Sequence, residues 1–200
     1  MSEAVETAAS AIRAGGLAIV PTDTVYGLAA TAFDADAARR LYALKGRDPS
    51  QPTALVAASV DVVVESVPEL RGSSESALRT VLPGPLTLIV SNPARRFPWL
   101  CGDRPEAIGV RVPAAAGVAR ELLDRVEALV ATSANLPGGR DPRSLAEVPS
   151  ELLHAVQATL DAGELPGTPS TVVDLTGARP RVLREGAVPA VEALALLRPG

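Results

Sequence analysis

Short apolar runs and amphipathic segments follow one another along this chain, and their order limits the folds that it can adopt. Seven runs have the length and composition of strands: LAIVP, TALVAA, PLTLIV, AIGVRVP, ALVATSA, STVVDL and RVLR. Segments with apolar residues at helical spacing alternate with the strands in the first half, and strands cluster in the second half. This order predicts an α/β protein in which a mixed sheet carries helices on its faces.

The clearest helix prediction is ADAARRLYALK, which follows Asp34, a favoured N-cap residue, and stops at Gly46. Another helix is predicted at the N-terminus and ends at Gly15. The other predicted helices lie near 60–67, near 72–82, over AAGVARELLDRV, over LAEVPSELLHAV with a break at Pro149, and over VPAVEALALL. No repeat or low-complexity linker interrupts the chain, so we predict one domain over residues 1–200.

Composition narrows the class of protein. Hydrophobic residues make up 47% of the chain and aromatic residues only 2%, so the core must consist of Val, Leu, Ile and Ala. The formal net charge of −4 excludes a global basic field for nucleic acids, so an anion site needs a local concentration of cations. The chain shows no signal-peptide pattern and no membrane-spanning apolar stretch, and we expect a soluble cytoplasmic protein without membrane contact.

Cys101 and His154 are the only residues of their types, which excludes an internal disulfide and any cysteine-rich or multi-histidine metal site. We interpret His154 as an imidazole on a helix surface and Cys101 as a half-buried, inert thiol. The sequence contains no P-loop and no Rossmann glycine pattern. An enzyme of this composition would take its nucleophile from the substrate and contribute position and charge; otherwise the protein only binds a ligand.

The sequence KGRD contains Lys45, the only lysine among the 19 lysine and arginine residues. Lys45 and Arg47 flank Gly46, at which the chain can turn, so an ammonium and a guanidinium can converge on one phosphate-like anion. Favourable charge at a helix C-terminus would explain any cation here. It does not explain the single lysine.

Polar residues also lie at the ends of other predicted strands. In PTDTVYGLAA the hydroxyls of Thr22, Thr24 and Tyr26 alternate, so in an extended chain they would share one side. A turn after the strand explains this stretch equally well. The other polar residues at strand ends are Arg111, Ser133, Asn135, Ser170, Thr171 and Arg184. Hydroxyls, an amide and cations together suit an anionic ligand, such as a nucleotide with a small acid.

Seven stretches resemble a known family in their order and spacing: PTDTVYGLAA, KGRD, LPGPLTLIV, IGVRVPA, ATSANLPG, STVVDLTG and RVLREGAV. The family is that of the YrdC-type L-threonylcarbamoyl-adenylate synthases (the TsaC class), and the resemblance covers roughly residues 8 to 190. The K-x-R and S-x-N pair is its hallmark. The resemblance implies an open, twisted mixed sheet flanked by helices, with a concave, positively lined cavity.

The resemblance also implies a reaction. Such an enzyme, a nucleotidyltransferase, converts L-threonine, bicarbonate and ATP into threonylcarbamoyl-AMP and pyrophosphate, with Mg²⁺ that accompanies ATP. Downstream tRNA threonylcarbamoyl-transferase proteins then modify adenosine 37 of tRNAs that read codons beginning with A. Because the carbamate of threonine attacks the α-phosphorus, the reaction needs no cysteine or histidine nucleophile.

The same motifs imply the site residues by position. The threonine site would comprise Thr24, Val56, Arg111, Ser133 and Ser170, with Arg111 binding the carboxylate. ATP would contact Lys45, Arg47, Gln51, Asn135, Arg143 and Arg184, of which Lys45 and Arg47 would be the catalytic residues; no residue is expected to ligate a metal. The sequence departs from the family pattern at Asp48, usually proline, and at Pro137, often serine. We expect the Asp48 carboxylate to point away from the cavity.

Two alternatives stay open on the sequence. A carbamoyl-transfer relative could use the same site with carbamoyl phosphate, although such relatives usually sit in larger chains with zinc-binding or acylphosphatase modules. A binding protein for double-stranded RNA, or for ribosome maturation, could use the basic cavity. The net charge of −4 disfavours RNA binding as the main role and leaves it as a weak accompanying property.

Overall fold

A single mixed sheet organises the computed structural model, which describes residues 2–197. Its strands are β1 (Ala18–Pro21), β2 (Tyr26–Thr31), β3 (Ala54–Ala57), β4 (Leu86–Ser91), β5 (Ala107–Arg111), β6 (Ala128–Ser133), β7 (Ala158–Thr159), β8 (Thr171–Asp174) and β9 (Arg181–Arg184). The order across the sheet is β7-β1-β2-β6-β3-β5-β4-β8-β9. The pairs β1–β7, β3–β5 and β4–β8 are parallel, and the other neighbours are antiparallel. The predicted mixed sheet is confirmed.

The helices follow the predicted pattern closely. They are α1 (Glu3–Arg13), α2 (Ala35–Lys45), α3 (Val60–Ser66), α4 (Ser73–Val81), α5 (Gly117–Val126), α6 (Ser150–Ala155) and α7 (Ala190–Leu196). At the start of α2 the Asp34 carboxylate accepts a hydrogen bond from the backbone N–H of Asp36 at 2.8 Å, and at its end Gly46 is left-handed with φ 63°. Pro149 precedes α6 directly, so the predicted break occurs there.

Two strands were not predicted. PTDTVYGLAA contains a turn over 22–25 and then β2, whose residues include Gly27, Ala29 and Ala30. Glycine and alanine are depleted in strands, so this strand depends on its pairing with β1 and β6 rather than on local preference. The two-residue β7 depends in the same way on its parallel pairing with β1.

The two faces of the sheet are covered unequally. One face packs a large apolar core against α2, α3 and α4, and it includes Leu28, Leu55 and Ile108. The other face packs a smaller core against α1 and α5, with Ile12 and Leu122 among its buried residues. As predicted, both cores are mostly aliphatic.

The uncovered part of the second face positions the candidate site. Strands β2, β3, β5 and β6 present small residues there, namely Gly27, Ala54, Gly109 and Ala131. Because these side chains are short, the face stays concave beyond the reach of α1 and α5.

Gly46 is expected to be needed for the turn that follows α2. Gly46→Ala should lower the free energy of unfolding by about 1 kcal/mol, because an L side chain is disfavoured at φ 63°. Urea unfolding measures this change. The matched control is Gly177→Ala, whose added methyl would meet only the Arg179 carbonyl oxygen at 3.8 Å and should leave the stability almost unchanged. Equal effects in the two variants would contradict a specific role for the left-handed turn.

Candidate anion-binding site

A cavity of about 270 Å³ lies on the concave face, and its lining extends from β2 to the start of β8 and the end of β9. Among the described residues, its lining contains four arginines and one carboxylate: Arg47, Arg104, Arg111, Arg184 and Asp141. The charge of the lining is therefore predominantly positive, although the net charge of the whole chain is −4. Such a cavity attracts an anionic ligand locally.

The K-x-R and S-x-N sequences form one connected unit beside this cavity. The Lys45 side chain, only 8% exposed, donates from Nζ to the Ser133 carbonyl at 2.8 Å, to the Asn135 carbonyl and to Asn135 Oδ1. The Ser133 hydroxyl donates to the same Oδ1 at 2.8 Å, and Asn135 Nδ2 donates to the Gly139 carbonyl at 2.6 Å. An ammonium has three N–H groups, so Lys45 has an acceptor within the protein for each of them.

The environment of Lys45 changes its ionisation. Burial lowers the pKa of Lys45 from 10.5 to about 8, since a buried ammonium loses its hydration. The nearby positive charge of Arg47 lowers this pKa further, and the carboxylate of Asp141 acts in the opposite direction. The amine therefore titrates close to physiological pH, unlike an ordinary surface lysine.

Arg111, the last residue of β5, also lines the cavity. Its Nη2 donates to Asp23 Oδ1 at 2.5 Å and to the Thr24 hydroxyl at 2.8 Å, and its buried Nε has no hydrogen-bond partner among the described residues. The turn that carries these partners is held by Thr22, whose hydroxyl accepts from the backbone N–H groups of Thr24 and Val25. The arrangement leaves part of a buried guanidinium available to a ligand carboxylate.

Arg184 and Arg47 also line the cavity, and the arginines of the lining together are called the cationic wall below. Arg184 Nη2 donates to the Ser170 carbonyl at 2.8 Å, and the Ser170 hydroxyl lies 2.9 Å from that of Thr87. Arg47 Nη2 donates to the Pro52 carbonyl at 2.6 Å. Both guanidinium groups are thus held by backbone oxygens, and within residues 2–197 neither forms an ion pair with a carboxylate.

The structure brings together most of the residues that the resemblance implies. The cavity lining includes Arg47, Val56, Arg111, Ser133, Ser170 and Arg184. Three more side chains do not line the cavity but hydrogen-bond to residues that do: Thr24, Lys45 and Asn135. The side chains of Gln51 and Arg143 lie outside it. Gln51 is exposed, although its backbone carbonyl accepts from Arg47 Nε at 3.4 Å, and Arg143 forms an exposed ion pair with Glu164 at 2.7 Å.

The interpretation that Thr22, Thr24 and Tyr26 share one side is wrong for Tyr26. The chain turns between Thr22 and β2, and the Tyr26 hydroxyl donates to Asp161 Oδ1 and to the Gly163 carbonyl, both at 2.8 Å. Burial raises the pKa of Tyr26 to about 12. Its hydroxyl therefore serves to hold the loop after β7 and not the cavity.

The interpretations of two other residues are confirmed. Asp48 is exposed, lies outside the cavity lining and accepts a hydrogen bond from the Ser50 backbone at 2.8 Å. His154 is exposed on α6. Cys101 is fully buried in the cavity wall and not half-buried as expected; burial raises its pKa, which favours the unreactive thiol.

Six polar residues of the site were not singled out from the sequence: Asp23, Thr53, Thr87, Arg104, Thr132 and Asp141. Asp23 stands inside a motif that was recognised, and Thr87 interrupts the apolar run PLTLIV, so both had a visible signal. Nothing in the local sequence distinguishes Arg104 or Asp141 from other surface charges.

Within residues 2–197, no helix is long and apolar enough to cross a membrane. The same residues contain no group of three or more His, Cys, Asp or Glu side chains that could hold a metal ion.

Fold and cavity together define an α/β protein with a cationic site on the concave face of its sheet. The family model Sua5_yciO_yrdC, described as Telomere recombination, matches residues 10–186. The chain belongs to the Sua5/YciO/YrdC family.

Comparison with individual proteins gives the same result. A Mycobacterium tuberculosis relative is 38% identical over 188 residues, which cover 94% of this chain and 86% of that protein. The threonylcarbamoyl-AMP synthase of Pyrococcus abyssi is 34% identical over 94% of this chain, which spans only 55% of that protein. Among solved structures, P. abyssi Sua5 complexed with L-threonine has a TM-score of 0.87 at 32% identity, covering 96% of this chain and 57% of that chain. Escherichia coli YciO has a TM-score of 0.82 at 26% identity, and the match covers 95% of this chain and 92% of the YciO chain.

The Lys45 amine is expected to titrate with a midpoint near pH 8 in the folded protein and near 10.5 in the unfolded protein. Between pH 8 and pH 10.5 the unfolded chain therefore binds more protons at Lys45 than the folded protein does. The contribution of Lys45 to the free energy of unfolding is complete above the unfolded-state pKa and is lost as the pH falls through the folded-state pKa. Selective ¹³Cε-lysine labelling gives one NMR signal, because the chain has one lysine. A folded-state midpoint at or above 10.5 would contradict the effect of burial.

Proposed function

We propose that the protein is an L-threonylcarbamoyladenylate synthase, a nucleotidyltransferase that forms threonylcarbamoyl-AMP and pyrophosphate from L-threonine, bicarbonate and ATP. The observation that carries this proposal is that one cavity joins a buried arginine, suited to a carboxylate, with the connected K-x-R and S-x-N unit. The name of the P. abyssi relative and the threonine complex of its Sua5 support it.

The threonine is assigned to the end of the cavity that contains Arg111. The guanidinium would bind the α-carboxylate, and the hydroxyls of Ser133 and Ser170 lie in the same lining. Val56, only 5% exposed, offers an apolar contact for the substrate methyl group. Thr24 would act through its hydrogen bond with Arg111 rather than by direct contact.

The triphosphate is assigned to the end of the cavity near α2. Arg47 and Arg184 present charges that no carboxylate neutralises within hydrogen-bond distance in the described part of the chain. Lys45 would add positive charge from behind the wall while it holds Asn135, and Asn135 would present its amide edge to the nucleotide. Because Gln51 and Arg143 lie outside the cavity, their contact with ATP would need the loops that carry them to move.

The reaction needs position and charge from the protein and a nucleophile from the substrate. The threonine amine combines with bicarbonate-derived CO2 to form a carbamate, and the proton that the amine loses combines with the hydroxide left from bicarbonate to give water. A carbamate oxygen then bonds to the α-phosphorus while the bond from that phosphorus to the bridging oxygen breaks, and pyrophosphate leaves with the electron pair. The cationic wall stabilises the charge that develops on the phosphates.

Mg²⁺ would neutralise phosphate charge and would be held mainly by the phosphates, since Asp141 is the one carboxylate in the described lining. The product would pass to tRNA threonylcarbamoyl-transferase proteins for modification of adenosine 37, and the proposed place of this reaction is the cytoplasm. RNA binding by the protein itself would be weak, because its net charge is −4.

Pyrophosphate release from ATP is expected to need both L-threonine and bicarbonate. The measurement is release with each component omitted in turn, together with mass analysis of the nucleotide product. Detection of threonylcarbamoyl-AMP only in the complete mixture is the expected result. ATP turnover that does not depend on threonine would indicate that another molecule is the acceptor. If the folded protein shows no turnover, and binds RNA with an affinity that falls steeply as the salt concentration rises, the RNA-binding role would be favoured.

Substitutions in the K-x-R sequence are expected to reduce activity without unfolding the protein. Arg47→Ala should lower pyrophosphate release about 100-fold or more, because one charge of the proposed phosphate wall is removed. Lys45→Arg should also be impaired, since a planar guanidinium cannot replace a compact ammonium among three buried acceptors. Arg71→Ala, at an exposed arginine outside the cavity, is the control. Wild-type turnover in Arg47→Ala would overturn the assignment of the triphosphate.

A further inference from the structure

Asp23 is a buried carboxylate that connects three segments at the threonine end of the cavity. It lies in the turn between β1 and β2, and its side chain is 8% exposed. One oxygen, Oδ1, accepts from Arg111 Nη2 at 2.5 Å, and the other, Oδ2, accepts from the backbone N–H of Ala114 at 2.9 Å. The turn, the end of β5 and the segment before α5 therefore meet at this one carboxylate.

The two bonds determine which part of the Arg111 guanidinium can meet a ligand. Nη2 is occupied by Asp23 and by Thr24, while Nε is buried and has no hydrogen-bond partner within residues 2–197. Nη1 forms no hydrogen bond with the described residues, although Arg111 lines the cavity. A side chain that is only 11% exposed and fixed at Nη2 presents its remaining donor, Nη1, in one orientation.

We propose that Asp23 is a positioning residue, which orients Arg111 for the carboxylate of the amino-acid substrate and holds the segment at Ala114 beside it. This inference rests on the proposed function, because it takes the carboxylate of threonine as the ligand of Arg111. Asp23 itself does not line the cavity and acts only through Arg111 and Ala114.

The chemistry requires aspartate and not its amide. Both donors, Arg111 Nη2 and the Ala114 N–H, point at Asp23, and a carboxylate accepts with both of its oxygens. Asparagine accepts with one oxygen only, and its NH2 group would face the other donor. Asp23→Asn therefore breaks one of the two connections with almost no change in volume.

The loss of charge in Asp23→Asn works in the opposite direction. Arg111 would lose its neutralising partner and would attract a carboxylate more strongly. The lost hydrogen bond predicts weaker threonine binding, and the lost negative charge predicts tighter binding. The sign of the change therefore shows whether Asp23 positions Arg111 or only reduces its positive charge.

The first measurement is calorimetric binding of L-threonine and of ATP to the wild type and to Asp23→Asn. We expect threonine to bind at least about tenfold more weakly to the variant, while the Kd of ATP stays within about twofold. Unchanged or tighter threonine binding would overturn the proposal. If the wild type binds no threonine under any condition, with ATP present or absent, the proposed function fails first and this inference fails with it.

The matched control is Asp174→Asn. Asp174 is also a buried carboxylate that accepts from an arginine, Arg104 Nη1 at 3.1 Å, and from a backbone N–H, that of Thr176 at 2.9 Å. Because it is bonded to Arg104 and not to Arg111, its amide should leave the threonine affinity unchanged. An equal loss in both variants would show a general effect of altering buried carboxylates and would overturn the proposal.

A second ligand tests whether Asp23 acts through the substrate carboxylate. The amino diol made by reducing that carboxylate, 2-aminobutane-1,3-diol, should bind weakly and equally to the wild type and to Asp23→Asn. A loss of affinity as large as that for threonine would indicate distortion of the whole site and would contradict positioning of Arg111. If the asparagine variant does not fold, it is replaced by Asp23→Glu, which retains both acceptor oxygens and the charge. Weaker threonine binding with unchanged ATP binding would support the proposal. Threonine binding equal to that of the wild type would overturn it.

Discussion

The site depends most on the buried ammonium of Lys45. Lys45 is the last residue of α2, and its ammonium donates three hydrogen bonds to the end of β6 and to the segment that follows it, namely to the Ser133 and Asn135 carbonyls and to Asn135 Oδ1. Removing an ammonium from water costs several kcal/mol unless it finds partners, and three acceptors supply them here. Burial also lowers its pKa to about 8, so the same contact that fixes the site makes its charge sensitive to pH. A helix and a strand from different layers are thereby held together beside the cavity.

The cavity keeps its positive charge because of how its arginines are held. Arg47 and Arg184 donate to the backbone carbonyls of Pro52 and Ser170, which orient the guanidinium groups without neutralising them. Arg111 is different, because Asp23 pairs with it. The phosphate end of the proposed site therefore retains free charge, and the amino-acid end combines orientation with a lower net charge.

The concave face exists because small residues come together from four strands. Gly27, Ala54, Gly109 and Ala131 lie far apart in the chain and meet only through the sheet register, in which Ala54 pairs with both Gly109 and Ala131. Larger side chains at these positions would fill the space that α1 and α5 leave uncovered. The volume available to a ligand is thus a property of the pairing and not of any single segment.

The sequence by itself determined the helix ends, the aliphatic cores, the mixed sheet and most of the cationic wall, because caps, hydrophobic periodicity and the order of motifs are local signals. It also led to a family that the comparisons confirm. Only the tertiary structure decided that β2 is a strand, that Tyr26 turns away from the cavity and that Lys45 is buried. It alone brought Asp23 to Arg111, 88 residues away in the chain. These outcomes depend on pairing between distant segments, which local preference cannot specify because the energy that selects them arises only when the segments pack.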